Sequence, residues 1–218
     1  MKEQIPPILR PDSVAPVSLK DLAAHFGLAV PDSDAVLTGI SMNTNDLRPG
    51  DLFVAMPGKK THGAEFIEKA ISLGASAVAT DSQGLSHTEG ISVPVVTIEN
   101  PRQSLGDVAA YVYGNLPGKM PKLFGTTGTN GKTSTTYLLE AILRQLGEVT
   151  GLTSTAERHI AGETIVSRLT TPESTEMQAL IARMREKKVT SVAIEVSAQA
   201  LSQLRVDGLH FDVVGFCL

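Results

Sequence analysis

Apolar positions along the chain follow two rhythms. Short, nearly unbroken apolar runs occur at 51–56 ("DLFVAM"), 75–80 ("ASAVAT"), 93–98 ("VPVVTI"), 190–197 ("TSVAIEVS") and 210–218 ("HFDVVGFCL"). Between them lie longer stretches whose apolar residues recur three and four positions apart. The first rhythm predicts buried strands and the second predicts helices. Punctuation agrees. Ser18 caps a helix through "SLKDLAAHFGL", with Asp21 three residues on. Gly74 stops the helix at 63–74. Pro101 opens another that runs to Gly114.

In the later part, the pattern predicts a strand over 122–125, a helix over 132–146, a strand over 149–153 and a polar stretch through Thr171. An amphipathic helix follows at 172–187, with Met177, Leu180, Ile181 and Met184 on one stripe. Strands alternating with helices imply α/β folding around parallel sheets covered on both faces. The stretch "GNLPGKMP" (114–121) punctuates a change of composition and predicts a domain boundary. The expected organisation is a small α/β domain over 1–117 and the first part of a phosphate-loop parallel-sheet domain over 118–218. The few strands of the second part predict that the sequence ends inside that domain.

Composition adds limits. Hydrophobic residues at 42% and charged residues at 19% describe an ordinary globular chain. A net charge of −4 and no clustered Lys or Arg argue against a nucleic-acid partner. The short "REKK" run (185–188) reads as the cationic last turn of a helix. A single cysteine, Cys217, in an apolar strand reads as a core thiol suited to a reducing compartment. "MKEQIPPILRPDS" lacks the apolar core of a signal peptide, and no segment has the length to span a membrane, so a cytoplasmic chain without membrane insertion is expected.

The strongest chemistry lies in "LFGTTGTNGKTSTTYL" (123–138): a buried strand, a glycine-rich turn and a helix start. Backbone N–H groups at such a turn face an anion, a lysine adds a point charge, and a Ser or Thr hydroxyl ligates magnesium. Gly125, Gly128 and Gly131 permit the turn, with Lys132 placed for the β- and γ-phosphates and Thr133 for Mg2+. Thr126 stands where the strict G-x-x-x-x-G-K-[ST] pattern has glycine. The pattern implies a nucleotide, without saying what is made.

Glu195 is the one charge in an otherwise apolar strand, and a buried carboxylate is costly unless paired or metal-bound. At a strand's C-terminal end beside Thr133, it is placed to hold Mg2+; a solvated strand end is the plainer reading. "TTPES" (170–174) starts a helix with two hydroxyls, Thr170 and Thr171. Ser197, Gln203 and Arg205 follow the Glu195 strand; taken alone, Arg205 reads as a solvated surface charge. The five histidines show no metal-ligand spacing.

Together, "GTTGTNGKTS", "TTPE", "EVSAQALSQLRVDGLHFDVVGF" and "NTNDLRPGDLFVAMPGKKTHG" resemble the Mur ligases, and among them the MurE type. The resemblance covers the chain from about Leu37 onward. It implies an ATP-dependent ligase of peptidoglycan synthesis. Such enzymes phosphorylate a carboxylate of UDP-N-acetylmuramoyl-L-alanyl-D-glutamate and join L-lysine, L-ornithine or meso-diaminopimelate to it through the acyl phosphate. It further implies that Gly128, Thr129, Asn130, Gly131, Lys132, Thr133 and Ser134 hold ATP, and that Thr133 and Glu195 hold Mg2+. The muramoyl-dipeptide contacts fall to Thr170, Thr171, Ser197, Gln203 and Arg205. The uridine-nucleotide contacts fall to Met42, Thr44, Lys59, Lys60 and Thr61.

Two departures stand out. Asn43, Thr44 and Asn45 replace a common "DSR", and Ser197, Ala198 and Gln199 replace a common "SSH". The resemblance places a modified lysine and the amino-acid-selecting domain beyond Leu218. Other Mur-like ligases (the MurF type, polyglutamate or cyanophycin synthetases), a small-molecule kinase, and a nucleotide-binding module without catalysis remain alternatives. Oligomeric state is not readable from the sequence.

Overall fold

The computed structural model describes residues 8–218; the leader reading of "MKEQIPP" falls on residues outside them. The chain divides into two compact units between Gly114 and Asn115, at the start of the Gly/Pro stretch.

The unit Ser13–Gly114 holds β1 (Val17–Ser18), α1 (Leu19–His25), β2 (Val36–Leu37), β3 (Gly39–Ser41) and β4 (Asp51–Ala55). A 3-10 turn (Gly63–Phe66), α2 (Ile67–Ser72), β5 (Ala77–Thr80), a second 3-10 turn (Gly84–His87), β6 (Val95–Thr97) and α3 (Pro101–Val112) follow. Strands β3, β4, β5 and β6 form a parallel sheet in chain order, while β1 and β2 make an antiparallel pair. The expected caps are present: the Asp21 N–H donates to Ser18 Oγ at 3.2 Å, Pro101 opens α3, and Gly74 ends its helix at φ +97°. The helix expected over 63–74 begins as the tighter 3-10 turn. There His62 Nδ1 accepts the Ala64 N–H at 3.0 Å, while its Nε2 lies 3.1 Å from Asp81. Phe53, Ala55, Ile67, Ala70 and Val78 make the core between sheet and helix.

The second unit joins Asn115–Leu218 to the segment ending at Asp12. That segment, assigned by sequence to the first domain, is tied down by an Asp12–Arg183 ion pair and by the Asp12 N–H on the Glu186 carboxylate. The unit contains β7 (Lys122–Gly128), α4 (Lys132–Gln145), β8 (Thr150–Thr153), β9 (Glu157–Ile160), β10 (Glu163–Val166), α5 (Ser174–Glu186), β11 (Ser191–Glu195), α6 (Ala198–Ser202) and β12 (Val213–Cys217). The sheet order is β10-β9-β8-β11-β7-β12. β8, β11, β7 and β12 are parallel; β9 and β10 add an antiparallel hairpin.

That hairpin occupies the stretch expected to be irregular. Its strands alternate, with Arg158 and Ile160 buried between half-buried Glu157 and His159. Its turn places Ala161 and Gly162 at positive φ, 49° and 92°, the twist a tight hairpin requires. Arg158 is 1% exposed, and burial pushes its guanidinium pKa down against the opposing charge of Glu176, 4.0 Å away. A second correction concerns α5, which is buried nearly all round: Thr175, Glu176 and Gln178 are inside with the apolar stripe. Hydrogen bonds explain the burial of Gln178. Asn115 Nδ2 donates to the Gln178 backbone and side-chain oxygens at 2.7 and 2.8 Å, and Gln178 Nε2 donates to the Gly208 carbonyl at 3.0 Å. Gln178 thus has both ends of its amide paired, and a paired polar group tolerates burial. Third, Cys217 is half-exposed, not a core thiol, because β12 is an edge strand whose Val213, Val214 and Phe216 are exposed. No helix among the described residues is long and apolar enough to cross a membrane.

Candidate functional site

Strand β7 runs three residues past its expected end, so the turn begins only at Gly128. Gly125 is therefore a packing position, not a turn residue: a Cβ there would meet the Phe211 ring at 3.0 Å. Thr126 sits in the ladder opposite Glu195 and Gly215, which explains why glycine is not needed there. Gly128 is different. Its φ is +129°, and a Cβ would lie 1.8 Å from the Cys217 carbonyl oxygen, so only glycine fits. Gly131, at φ +77°, is the N-cap of α4. Thr129, Asn130, Gly131 and Ser134 are exposed around this bend. The Lys132 ammonium folds into it, donating to the Gly128 and Thr129 carbonyls at 2.9 and 3.1 Å. The α4 N-terminus and the lysine thus lie at the same bend, where a helix N-terminus favours an anion.

Glu195 closes the site from β11. It is 1% exposed, and its oxygens are fully engaged. Oε1 accepts the Thr133 hydroxyl at 3.0 Å, and Oε2 accepts the Thr155 N–H at 2.9 Å. The Thr155 hydroxyl lies 3.2 Å from both oxygens and 3.0 Å from the Thr170 hydroxyl. Thr171, fully buried, donates to the Glu195 carbonyl at 3.0 Å and accepts the Ser197 N–H at 3.1 Å. Ser197 caps α6 through the Ala200 N–H. Arg205 is no solvated surface charge: Nη1 donates to the Thr171 carbonyl at 3.2 Å and Nε sits 2.9 Å from Glu173, with the side chain 12% exposed. Leu204 beside it holds φ +55°, a costly conformation for a branched residue, and Gln203 is half-buried at the end of α6. The expected residues on β7, β11, "TTPE" and α6 therefore meet at the C-terminal edge of the sheet, where open α/β sheets bind ligands.

The donor set suits magnesium. It pairs one carboxylate with one hydroxyl, both hard oxygens, beside a phosphate grip, and Mg2+ is normally held by one or two carboxylates plus phosphates and water. No cluster of three or more His, Cys, Asp or Glu able to hold a metal occurs among the described residues.

In the first unit, Met42, Thr44 and Thr61 line one cavity of about 330 Å³ together with Lys69 and Arg102. Lys59 and Lys60 are exposed and lie outside that lining. Asn43 keeps the turn that the absent aspartate would make, since its Oδ1 accepts the Asn45 N–H at 3.0 Å. Gln199, standing where a histidine is common, is exposed on α6.

Comparisons with known proteins match both units. Residues 126–217 match the family described as Mur ligase middle domain, and residues 36–113 match the one described as Mur ligase family, catalytic domain. The chain belongs to the Mur ligase family. A relative in Leifsonia xyli, named UDP-N-acetylmuramyl-tripeptide synthetase, is 51% identical over 97% of this chain and 41% of its own length. One in Streptomyces avermitilis, named UDP-N-acetylmuramoyl-L-alanyl-D-glutamate–2,6-diaminopimelate ligase, is 46% identical over 95% of this chain and 40% of its own. The chain thus spans about two-fifths of the length of the curated relatives it matches. A solved structure bearing the same diaminopimelate-ligase name superposes with TM-score 0.75 at 20% identity, covering 93% of this chain and 40% of that one. A MurF ligase from Thermotoga maritima in complex with ADP gives 0.56 at 21% identity, covering 82% and 37%. These likenesses carry the fold.

Two features of this chain escaped the sequence reading. Thr155 lies in "TSTAE", a polar loop after β8; a hydroxyl just past the C-terminal end of a parallel strand next to the Glu195 strand was the available signal. The other is a polar cluster linking α4 to β9. His159 Nδ1 lies 2.9 Å from Glu140, its Nε2 lies 3.2 Å from Glu157, and Tyr137 OH donates to Glu157 at 3.1 Å. The two donors hold the Glu157 carboxyl below its usual pKa, and burial, ahead of smaller effects, raises that of Tyr137.

Proposed function

We propose that this chain is the nucleotide- and acceptor-binding part of an ATP-dependent ligase of the MurE type, adding an amino acid to UDP-N-acetylmuramoyl-L-alanyl-D-glutamate in cytoplasmic peptidoglycan synthesis. The observation that carries the reading is one carboxylate with two neighbours. Glu195 touches Thr133, at the phosphate bend, and through Thr155 reaches Thr170, at the acceptor segment. A phosphoryl donor and a carboxylate acceptor would meet there.

In this reading the N–H groups of 128–134 and the Lys132 ammonium hold the ATP phosphates, leaving the γ-phosphoryl at the bend. Thr133 and Glu195 would hold Mg2+, which supplies charge neutralisation for the transfer. Thr170, Thr171, Ser197, Gln203 and Arg205 hold the muramoyl dipeptide so that its free carboxylate attacks the γ-phosphorus, breaking the bond to the β,γ-bridging oxygen and releasing ADP. Phosphorylation turns a poor electrophile into an acyl phosphate with a good leaving group. An amino group then displaces phosphate and forms the amide. The relatives' printed names favour 2,6-diaminopimelate as the amino acid over lysine or ornithine. The cavity at Met42, Thr44 and Thr61, with the cations Lys69 and Arg102 in its wall, would take the uridine nucleotide. Lys59 and Lys60 would serve from outside its lining.

Calorimetry tests this directly. The chain should bind ATP with Mg2+ and bind UDP-muramoyl-dipeptide, and Arg205→Ala should weaken only the second. A chain indifferent to both ligands would sink the proposal.

A further inference from the structure

We infer that Thr155 is a positioning residue that couples the metal-binding carboxylate Glu195 to the acceptor segment at Thr170. The inference rests on the roles proposed above for those two residues.

The argument is a proton count. Thr155 offers Glu195 two donors, its backbone N–H at 2.9 Å from Oε2 and its hydroxyl at 3.2 Å from both oxygens. The same hydroxyl lies 3.0 Å from Thr170 Oγ1. A hydroxyl carries one proton and two lone pairs, so it can donate to only one of these three acceptors. A carboxylate is the stronger acceptor, because a hydrogen bond to an ionised group is roughly twice as strong as a neutral one. The Thr155 proton therefore goes to Glu195, and its lone pair accepts from Thr170. The result is a directed line from Thr170 through Thr155 to Glu195.

That line matters when a cation binds. To ligate it, Thr133 must turn a lone pair toward the ion, and its proton must leave Oε1. The two Thr155 donors then remain to fix the carboxylate. The N–H pins Oε2 from the backbone, which leaves Oε1, beside Thr133, as the oxygen presented. A group at Thr170 that draws that hydroxyl's proton toward itself changes what Thr155 accepts, and so changes the hold on Glu195. Occupancy of the acceptor segment and cation affinity are then linked, in both directions.

The test is calorimetric titration of the 218-residue chain with ATP at stepped Mg2+ concentrations, repeated in EDTA. Thr155→Val keeps size and the N–H while deleting the hydroxyl; Thr155 is exposed, so folding is preserved. Thr155→Val should raise the Mg2+ concentration needed for half-maximal ATP binding by about tenfold, the low end for losing a partner of a metal ligand. Binding in EDTA should not change, and Thr155→Ser should behave as wild type. Thr170→Val alone should weaken the Mg2+ response, and should add nothing in the Thr155→Val background, because the two act on one line. An unchanged Mg2+ response in Thr155→Val overturns the inference. So does an equal loss in EDTA, which marks a merely structural effect, or a Thr155→Ser as impaired as the valine variant. Wild-type chain that ignores ATP and Mg2+ altogether instead overturns the proposed function, and the inference falls with it.

Discussion

At the scale of single residues, the phosphate bend makes the sharpest demands. Lys132→Ala removes the one cation inside the turn and should abolish measurable ATP binding in the titration described above, with little change in melting temperature, since its partners are two carbonyls at a partly exposed bend. Gly128→Ala should lower the melting temperature as well. A Cβ 1.8 Å from a backbone oxygen forces β7 and β12 apart at φ +129°, and strain plus overpacking together cost about 3 kcal/mol or more. A melting curve checks it: a variant as stable as wild type contradicts the close approach of Gly128 to Cys217. Both residues were legible in the sequence, because a Gly-rich turn before Lys-Thr has few other uses. Gly125 was misread for the same reason. Its glycine answers to Phe211, a residue 86 positions later, and no local pattern carries that contact.

At the scale of elements, strands β4, β5, β6, β7, β8, β11 and β12 follow from their apolar runs, and α1, α3 and α4 from caps and spacing. The misses share a cause. The hairpin β9–β10 buries an arginine where the pattern wants an aliphatic residue, and α5 buries polar residues that find partners only in the folded chain. Tertiary pairing overrode local polarity in both. The cluster joining α4 to β9 makes this testable. Glu157 has a pKa lowered from the ordinary 4.5 by hydrogen bonds from His159 and Tyr137. A depressed carboxyl stabilises the folded chain above its unfolded value, and that contribution is lost as pH falls through the folded value. Wild type should therefore melt above Glu157→Gln near pH 6, with the gap closing as pH falls below 4.5. The Glu157 side chain is 44% exposed, so solvent screens the difference, and it should shrink further in high salt. A gap that widens on acidification contradicts the assigned direction.

At the scale of the whole molecule, the open matter is how much of a ligase this chain makes up. Recognition and reaction separate here. The residues proposed for ATP lie on β7, α4 and β11, and those for the muramoyl dipeptide on the "TTPE" segment and the α6 turn, all inside one compact unit. The cavity proposed for the uridine nucleotide lies inside the other. In the second unit, Lys132, Thr133, Thr171 and Arg205 are already held by hydrogen bonds, so ligand binding there should need no further protein. The amide-forming step needs more: an ammonium group deprotonated and aimed at an acyl phosphate, with water kept out. None of the proposed site residues serves that third substrate, and the relatives named for diaminopimelate are about two and a half times as long as the matched region. The expected outcome is a split result. Incubated with ATP, Mg2+, UDP-muramoyl-dipeptide and diaminopimelate, the 218-residue chain should bind the first three and yield no tripeptide by mass spectrometry. Tripeptide formed in an ATP-dependent way, and lost in Lys132→Ala, would show that the amino-acid site is built from these residues after all. The surface around Thr155 and Thr170 would then be the place to look for it.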